Sequence, residues 1–240
     1  MDIAKFMDYT FLKPAGEKGS VRKLCREAKT AGFASVCVNP SEVALCAKLL
    51  KGTGVRVCTV IGFPLGANTT LVKCFEALTA IEAGADELDL VVNQRLLKFA
   101  PGECEAELRD FVEACREKRK DVVLKLILEC CNLTKAEIVR GCRLAKKAGF
   151  DFVKTSTGFA AGGATVEDVK LMRKTIGSKM GVKAAGGIRD RETALRMIKA
   201  GATRIGTSAG LGPEERHCPC RRPRDDCKMT KTVTAKRYLR

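Results

Sequence analysis

Four stretches of the chain repeat one local phrase. "TAGFASVCV" (30–38), "EAGADELDLVV" (82–92), "KAGFDFVKT" (147–155) and "KAGATRIGT" (199–207) each close an amphipathic run with Ala-Gly. Each then enters a β-branched run two or three residues later. Glycine just past a helix suits the left-handed backbone of a helix end. Short helix-to-strand loops are usual in α/β units. Related units lie between the copies: "GVRVCTVIGFP" (54–64), "DVVLKLILE" (121–129) and "GVKAAGG" (181–187). The pattern predicts strands at 7–12, 34–39, 55–62, 87–92, 122–129, 151–156, 181–186 and 203–207. The amphipathic segments between them include "SVRKLCREAKTA", "ECEAELRDFVEACREKRK" and "TVEDVKLMRKTI". In "LTKAEIVRGCRLAKKAG", Thr134 with Glu137 three residues on forms a capping-box pattern. Strict alternation with near-continuous apolar strands implies a parallel sheet covered by helices. Eight such units in 240 residues favour a (β/α)8 TIM barrel, a single domain, over an open sheet.

The last stretch breaks the rhythm. From Gly212 to Arg240 the chain holds three of its seven prolines and no apolar helical face. The expected organisation is therefore a barrel over 1–211 and an atypical, basic, irregular tail over 212–240. His217, Cys218, Cys220 and Cys227 in the tail offer metal-ligand chemistry. Their spacing fits none of the common zinc patterns, so no metal is expected.

Composition narrows the partners. A net charge of +16 invites a nucleic-acid reading. The lysines and arginines are spread among acidic residues at helical spacing, however, and two Tyr with no Trp leave few stacking platforms. A field that draws in small anions is the better consequence, and no nucleic-acid partner is expected. No apolar run reaches the roughly 18–20 residues that span a bilayer, so no membrane partner is expected. "MDIAKFMDYT" lacks the features of a secretory signal. The thirteen cysteines, an odd number set mostly in apolar runs, fit a reducing compartment, and a cytoplasmic location is expected.

The strands carry charges where core residues belong. Alternate positions of a strand face opposite sides. Phe152, Lys154 and Ser156 share a face opposite Val153. Lys183 alternates with Val182 and Ala184, and Asp89 with Leu88 and Leu90. Lys125, Ile127 and Glu129 alternate with Leu124, Leu126 and Leu128. The apolar partners face the helices, so two carboxylates and three lysines should converge in the lumen. Lys125 and Glu129 can be read as a structural pair. For Lys154, Lys183 and Asp89 that reading is weaker, since burying ions costs several kcal/mol each and apolar substitutes are often as stable. An amine attacks a carbonyl only when unprotonated, and a second cation plus desolvation favours that state. A carboxylate beside it moves the protons of carbinolamine collapse and enamine formation. The pattern is that of a Schiff-base site.

Phosphate capture is the third element. "AAGGIR" (184–189) and "IGTSAG" (205–210) follow the seventh and eighth strands and offer backbone N–H groups, with a hydroxyl from Ser208. "STGF" and "GFAAGGAT" add flexible backbone after the sixth strand, while "IGFPLG" (61–66) reads as a turn at the barrel mouth.

"VKTSTGF", "VKAAGGIR", "ADELDLVVN", "TVIGFPLG", "VCVNP" and "RIGTS" together resemble the deoxyribose-phosphate aldolase family, in order from Met7 to Leu211. The resemblance implies a class I aldolase in deoxyribonucleotide catabolism. Such an enzyme reversibly cleaves 2-deoxy-D-ribose 5-phosphate to acetaldehyde and D-glyceraldehyde 3-phosphate, with no metal or organic cofactor. By motif match it implies Lys154 as the Schiff-base lysine, Lys183 as the lysine that tunes it, and Asp89 as the proton shuttle. Gly158, Gly186, Gly187, Gly206 and Ser208 would hold the phosphate, and Asp8 and Thr10 would approach substrate hydroxyls. The expected partners are the phosphosugar and, as a homodimer or higher homo-oligomer, further copies of the chain. The chain departs from the family at Tyr9, where "DHT" is usual, and at Cys130, where "ILET" is common. It departs again after Leu211, where relatives continue with an apolar segment. Some relatives use a C-terminal tyrosine in proton transfer, a place that Tyr238 could take. The altered C-terminus leaves one alternative, a catalytically impaired phosphosugar-binding barrel. Another phosphosugar barrel enzyme, such as an isomerase, would not need two stacked lysines.

Overall fold

The computed structural model of the protein describes residues 3–209. The 211/212 boundary, the tail's cysteines and histidine, and Tyr238 lie outside the described residues. β1 (Met7–Phe11) leads to α1 (Ser20–Ala31), β2 (Ser35–Val38) to α2 (Val43–Leu50), and β3 (Arg56–Ile61) to α3 (Thr70–Glu82). β4 (Glu87–Val91) is followed by α4 (Gln94–Phe99) and α5 (Pro101–Lys118), and β5 (Val123–Ile127) by α6 (Lys135–Ala148). β6 (Phe152–Lys154), α7 (Val166–Ile176), β7 (Gly181–Ala185), α8 (Arg191–Lys199) and β8 (Arg204–Thr207) complete the order. Each strand pairs in parallel with the next, and β8 returns to β1 with Asp8 opposite Gly206, so the barrel is closed.

All eight predicted strands form, for the reason their composition gives. Leu88, Leu90, Leu124, Leu126, Val153 and Ile205 point outward and are fully buried under the helices. Thr134 caps α6 with Glu137 in the reciprocal box, and Gly149 ends it in the left-handed region at φ 93°. Tyr9, at the position usually histidine, lies between β1 and α1. Its hydroxyl donates to Glu27 at 2.8 Å and its ring meets Phe33 edge-on at 5.4 Å. Burial and the Glu27 carboxylate raise this phenol to about 12.

The fifth strand is shorter than expected, and that changes one placement. Pairing stops at Ile127, and Glu129 turns to φ 56°. Cys130 N–H then donates to Thr155 carbonyl at 2.8 Å, which pulls the chain across β6. The alternation that placed Glu129 beside Lys125 ends before it reaches Glu129. The carboxylate instead accepts from Thr157 N–H at 3.2 Å and from the Thr157 hydroxyl. Cys130, also part of this turn, is buried with its sulfur 3.9 Å from that of Met172.

In the lumen, register places Asp89 beside Lys125 and Lys154 beside Lys183 on neighbouring strands. The β1–β3 side is different in kind. There Leu12, Cys37, Cys58 and Val60 form a small apolar cluster. The lumen therefore has one charged wall and one apolar wall.

Candidate active site

Asp89 is the centre of the charged wall. Its Oδ2 accepts from Lys154 at 2.8 Å and from Lys183 at 2.7 Å. Its Oδ1 accepts from Lys125 at 2.8 Å and from the Cys58 thiol at 3.2 Å. The two lysines singled out by sequence thus share one carboxylate oxygen. Burial alone would raise the Asp89 carboxyl, but Lys125, Lys154 and Lys183 together hold it well below the usual carboxylate range. Burial would likewise lower Lys183, yet Asp8 and Asp89 keep it above the usual ammonium range. Lys183 is therefore a fixed cation beside Lys154.

A second layer lies beneath. Asp8 meets Lys183 at 2.6 Å, and Glu87 meets Lys125 at 2.6 Å. Arg204 donates to Glu87 at 2.9 Å and also to Asp8, with Phe152 stacked 5.4 Å away. Within the lumen, four cations (Lys125, Lys154, Lys183, Arg204) face three carboxylates (Asp8, Glu87, Asp89). Such an excess is relieved when one lysine gives up its proton.

Lys154 is the member of this set that reaches substrate space. It lines a cavity of about 290 Å³ at the carboxyl ends of the strands. The loops after β6, β7 and β8 form one side of that cavity through Gly158, Gly186, Gly187, Gly206 and Ser208. Thr10 and Lys13 line the side of β1, and Arg189 adds a second cation. The loops are braced against each other: Ala164 N–H donates to Gly186 carbonyl at 3.1 Å. A Cβ on Gly163 would lie 2.3 Å from that same oxygen. Gly206 has a further role, because a Cβ there would sit 3.1 Å from Lys183 Cε.

The chain that carries this cluster matches known proteins in sequence and fold. Residues 3–212 fit the DeoC/LacD family aldolase description. The chain belongs to this family. A deoxyribose-phosphate aldolase from Clostridium perfringens strain SM101 is 57% identical over 210 residues, covering 87% of this chain and 92% of the relative. One from Bacillus subtilis strain 168 is 56% identical over 212 residues, covering 88% and 94%. Among solved structures, the tetrameric deoxyribose phosphate aldolase from Aeropyrum pernix superimposes with a TM-score of 0.80 at 36% identity, covering 87% of each chain.

Most of the site residues expected from sequence gather around this cavity. Lys154, Lys183 and Asp89 converge, and Thr10, Gly158, Gly186, Gly187, Gly206 and Ser208 line the space above them. Asp8 does not. It is fully buried one layer down, held by Lys183, Arg204 and the Ser35 hydroxyl at 2.6 Å, and does not line the cavity. The turn at 62–66 stays outside the cavity lining, although Phe63 packs edge-on against Phe159 of the cavity wall at 5.1 Å. Sequence reasoning missed Glu87, Arg204, Lys13, Arg189 and Thr157. Glu87 and Arg204 sit at strand starts, where a charge reads as a solvent-facing end. Lys13 and Arg189 sit in loops with no period.

Proposed function

We propose that the protein cleaves 2-deoxy-D-ribose 5-phosphate reversibly to acetaldehyde and D-glyceraldehyde 3-phosphate through an imine on Lys154. The observation that carries this reading is the Asp89 oxygen shared by Lys154 and Lys183, directly below the cavity.

The neutral Lys154 amine adds to the C1 aldehyde, and loss of water gives a protonated imine. The positive charge then sits where the ammonium was, 2.8 Å from Asp89 in the resting site. Removal of the C3 hydroxyl proton lets the C2–C3 bond break. Its electron pair moves into C1–C2 as an enamine, and C3 becomes the aldehyde of the released triose phosphate. Protonation of C2 and hydrolysis return acetaldehyde and the amine. Asp89 is the carboxylate placed to carry protons in these steps, and it regains basicity whenever Lys154 is not an ammonium. Lys183 disfavours a second ammonium beside it and stays charged throughout. Gly158, Gly186, Gly187 and Ser208 offer a cradle for the phosphate, with Arg189 and Lys13 as counter-charges. Leu12, the member of the apolar cluster that lines the cavity, suits the two-carbon fragment.

The impaired-barrel alternative finds no support in the family match, which runs over most of the chain. The described residues include no helix long and apolar enough to cross a membrane. The ten cysteines among them are free, which fits a reducing compartment such as the cytoplasm. Leu65, Leu71, Val72 and Phe75, on and just before α3, are exposed large apolar side chains of the kind that self-association covers.

A coupled assay for triose phosphate release from 2-deoxy-D-ribose 5-phosphate tests the reading. Turnover in wild type and none in Lys154→Ala is expected. Equal turnover in both would overturn it.

A further inference from the structure

We propose that Arg204 is a positioning residue for the aldolase reaction, bracing from the lumen floor both arms that hold Asp89 beneath Lys154. The inference rests on the Schiff-base reading of Lys154.

One arm runs from Arg204 to Asp8, from Asp8 to Lys183 at 2.6 Å, and from Lys183 to Asp89 Oδ2 at 2.7 Å. The other runs from Arg204 to Glu87 at 2.9 Å, from Glu87 to Lys125 at 2.6 Å, and from Lys125 to Asp89 Oδ1 at 2.8 Å. Arg204 is where the two arms meet. It does not line the cavity, and its side chain is only 11% exposed. Its planar fork reaches Asp8 and Glu87 through Nη1 and Glu87 again through Nη2, a rigid in-plane geometry that the compact ammonium of a lysine does not reproduce. Without it, Asp8 keeps Ser35 and Lys183 and Glu87 keeps Lys125 and Arg56, but the one group that ties the two carboxylates to each other is lost.

Charge makes the claim specific. The groups facing this network from all eight strands are Asp8 on β1, Ser35 and Cys37 on β2, Cys58 on β3, and Glu87 and Asp89 on β4. Lys125, Lys154, Lys183 and Arg204 come from β5 to β8. Arg56 of β3 approaches Glu87 from its more exposed side at 3.5 Å. Burial and its neighbours Cys37 and Asp89 push the Cys58 thiol well above its ordinary range, so it stays a neutral donor. The lumen then carries four cations against three carboxylates. Removing the guanidinium equalises the two, so an ammonium at Lys154 is better tolerated. Removing the Glu87 carboxylate enlarges the excess, so the ammonium is less tolerated. The two changes move the same ionisation in opposite directions.

The test is the pH profile of kcat/KM for 2-deoxy-D-ribose 5-phosphate in wild type, Arg204→Met, Arg204→Lys and Glu87→Gln, with borohydride trapping of wild type alongside. In Arg204→Met we expect the acid limb to move up and kcat to fall on the order of 100-fold. Glu87→Gln should move the limb down. Arg204→Lys should keep the limb near its wild-type position while kcat stays low, since it restores charge without the fork. If Arg204→Met fails to fold, the Glu87→Gln shift and the Arg204→Lys split still decide the matter. Limbs that stay in place in folded variants, with a wild-type adduct on Lys154, would overturn the positioning role alone. A wild type that turns over without an adduct would overturn the Schiff-base reading and this inference with it.

Discussion

Asp89 accepts from three ammonium groups and a thiol. Substituting it with asparagine removes the carboxylate proposed to carry protons and the counter-charge for Lys125, Lys154 and Lys183. Asp89→Asn should lower kcat by about 100- to 10,000-fold, in the range lost with a general acid–base group, while the cavity's hold on phosphate is kept. Steady-state kinetics showing a small kcat loss would assign the proton transfers elsewhere. At this scale the sequence is legible where one rule applies. A charge inside an apolar strand faces the lumen, and alternation alone identifies Lys154, Lys183, Asp89 and Lys125. Glu129 escapes the rule because a left-handed turn at φ 56° ends the alternation before it. Asp8 is expected near substrate only through the resemblance, and a motif match says nothing of depth: the side chain is fully buried beneath Lys183. Arg204 was not legible as part of the site, because its partners Asp8 and Glu87 lie on strands far away in sequence.

At the scale of elements, the strands fell within about two residues of expectation, since apolar outward residues and glycine stops act locally. The loops are harder to read, because their form depends on contacts between loops. Gly163 shows this: a Cβ there would lie 2.3 Å from Gly186 carbonyl, a backbone contact with no local signal. Gly163→Ala should push apart the loops after β6 and β7 and break the Ala164-to-Gly186 bond. Because those loops line the cavity and are the ones proposed to hold the phosphate, the effect should fall on binding. We expect KM for the phosphorylated substrate to rise on the order of 10-fold, which is the loss of about one good hydrogen bond to a charged group. KM for unphosphorylated 2-deoxyribose should change little. An equal change for both substrates would show that the loops do not carry the phosphate.

At the scale of the whole molecule, the charged lumen links stability to pH. Asp8 and Asp89 are held below the usual carboxylate range despite burial, chiefly by Lys183 and Lys125 respectively. Their stabilisation is therefore complete above the unfolded carboxyl pKa of about 4 and is lost as pH falls below it. Lys183 is held above the usual ammonium range, so its contribution is present below about pH 10 and lost only above that. Thermal melts should show a plateau through neutral pH and a steep fall of Tm below about pH 4. A flat Tm down to pH 3 would mean that the buried pairs contribute no net stability.

The barrel, its family and its central lysines all lead to one bond. The most direct measurement is to incubate the protein with 2-deoxy-D-ribose 5-phosphate, reduce with borohydride, and map the modified peptide by mass. We expect a two-carbon or five-carbon adduct on Lys154, absent in Lys154→Ala. A folded, active protein with no adduct, or one with the adduct on Lys183 or Lys125, would contradict the assignment of Lys154 as the nucleophile.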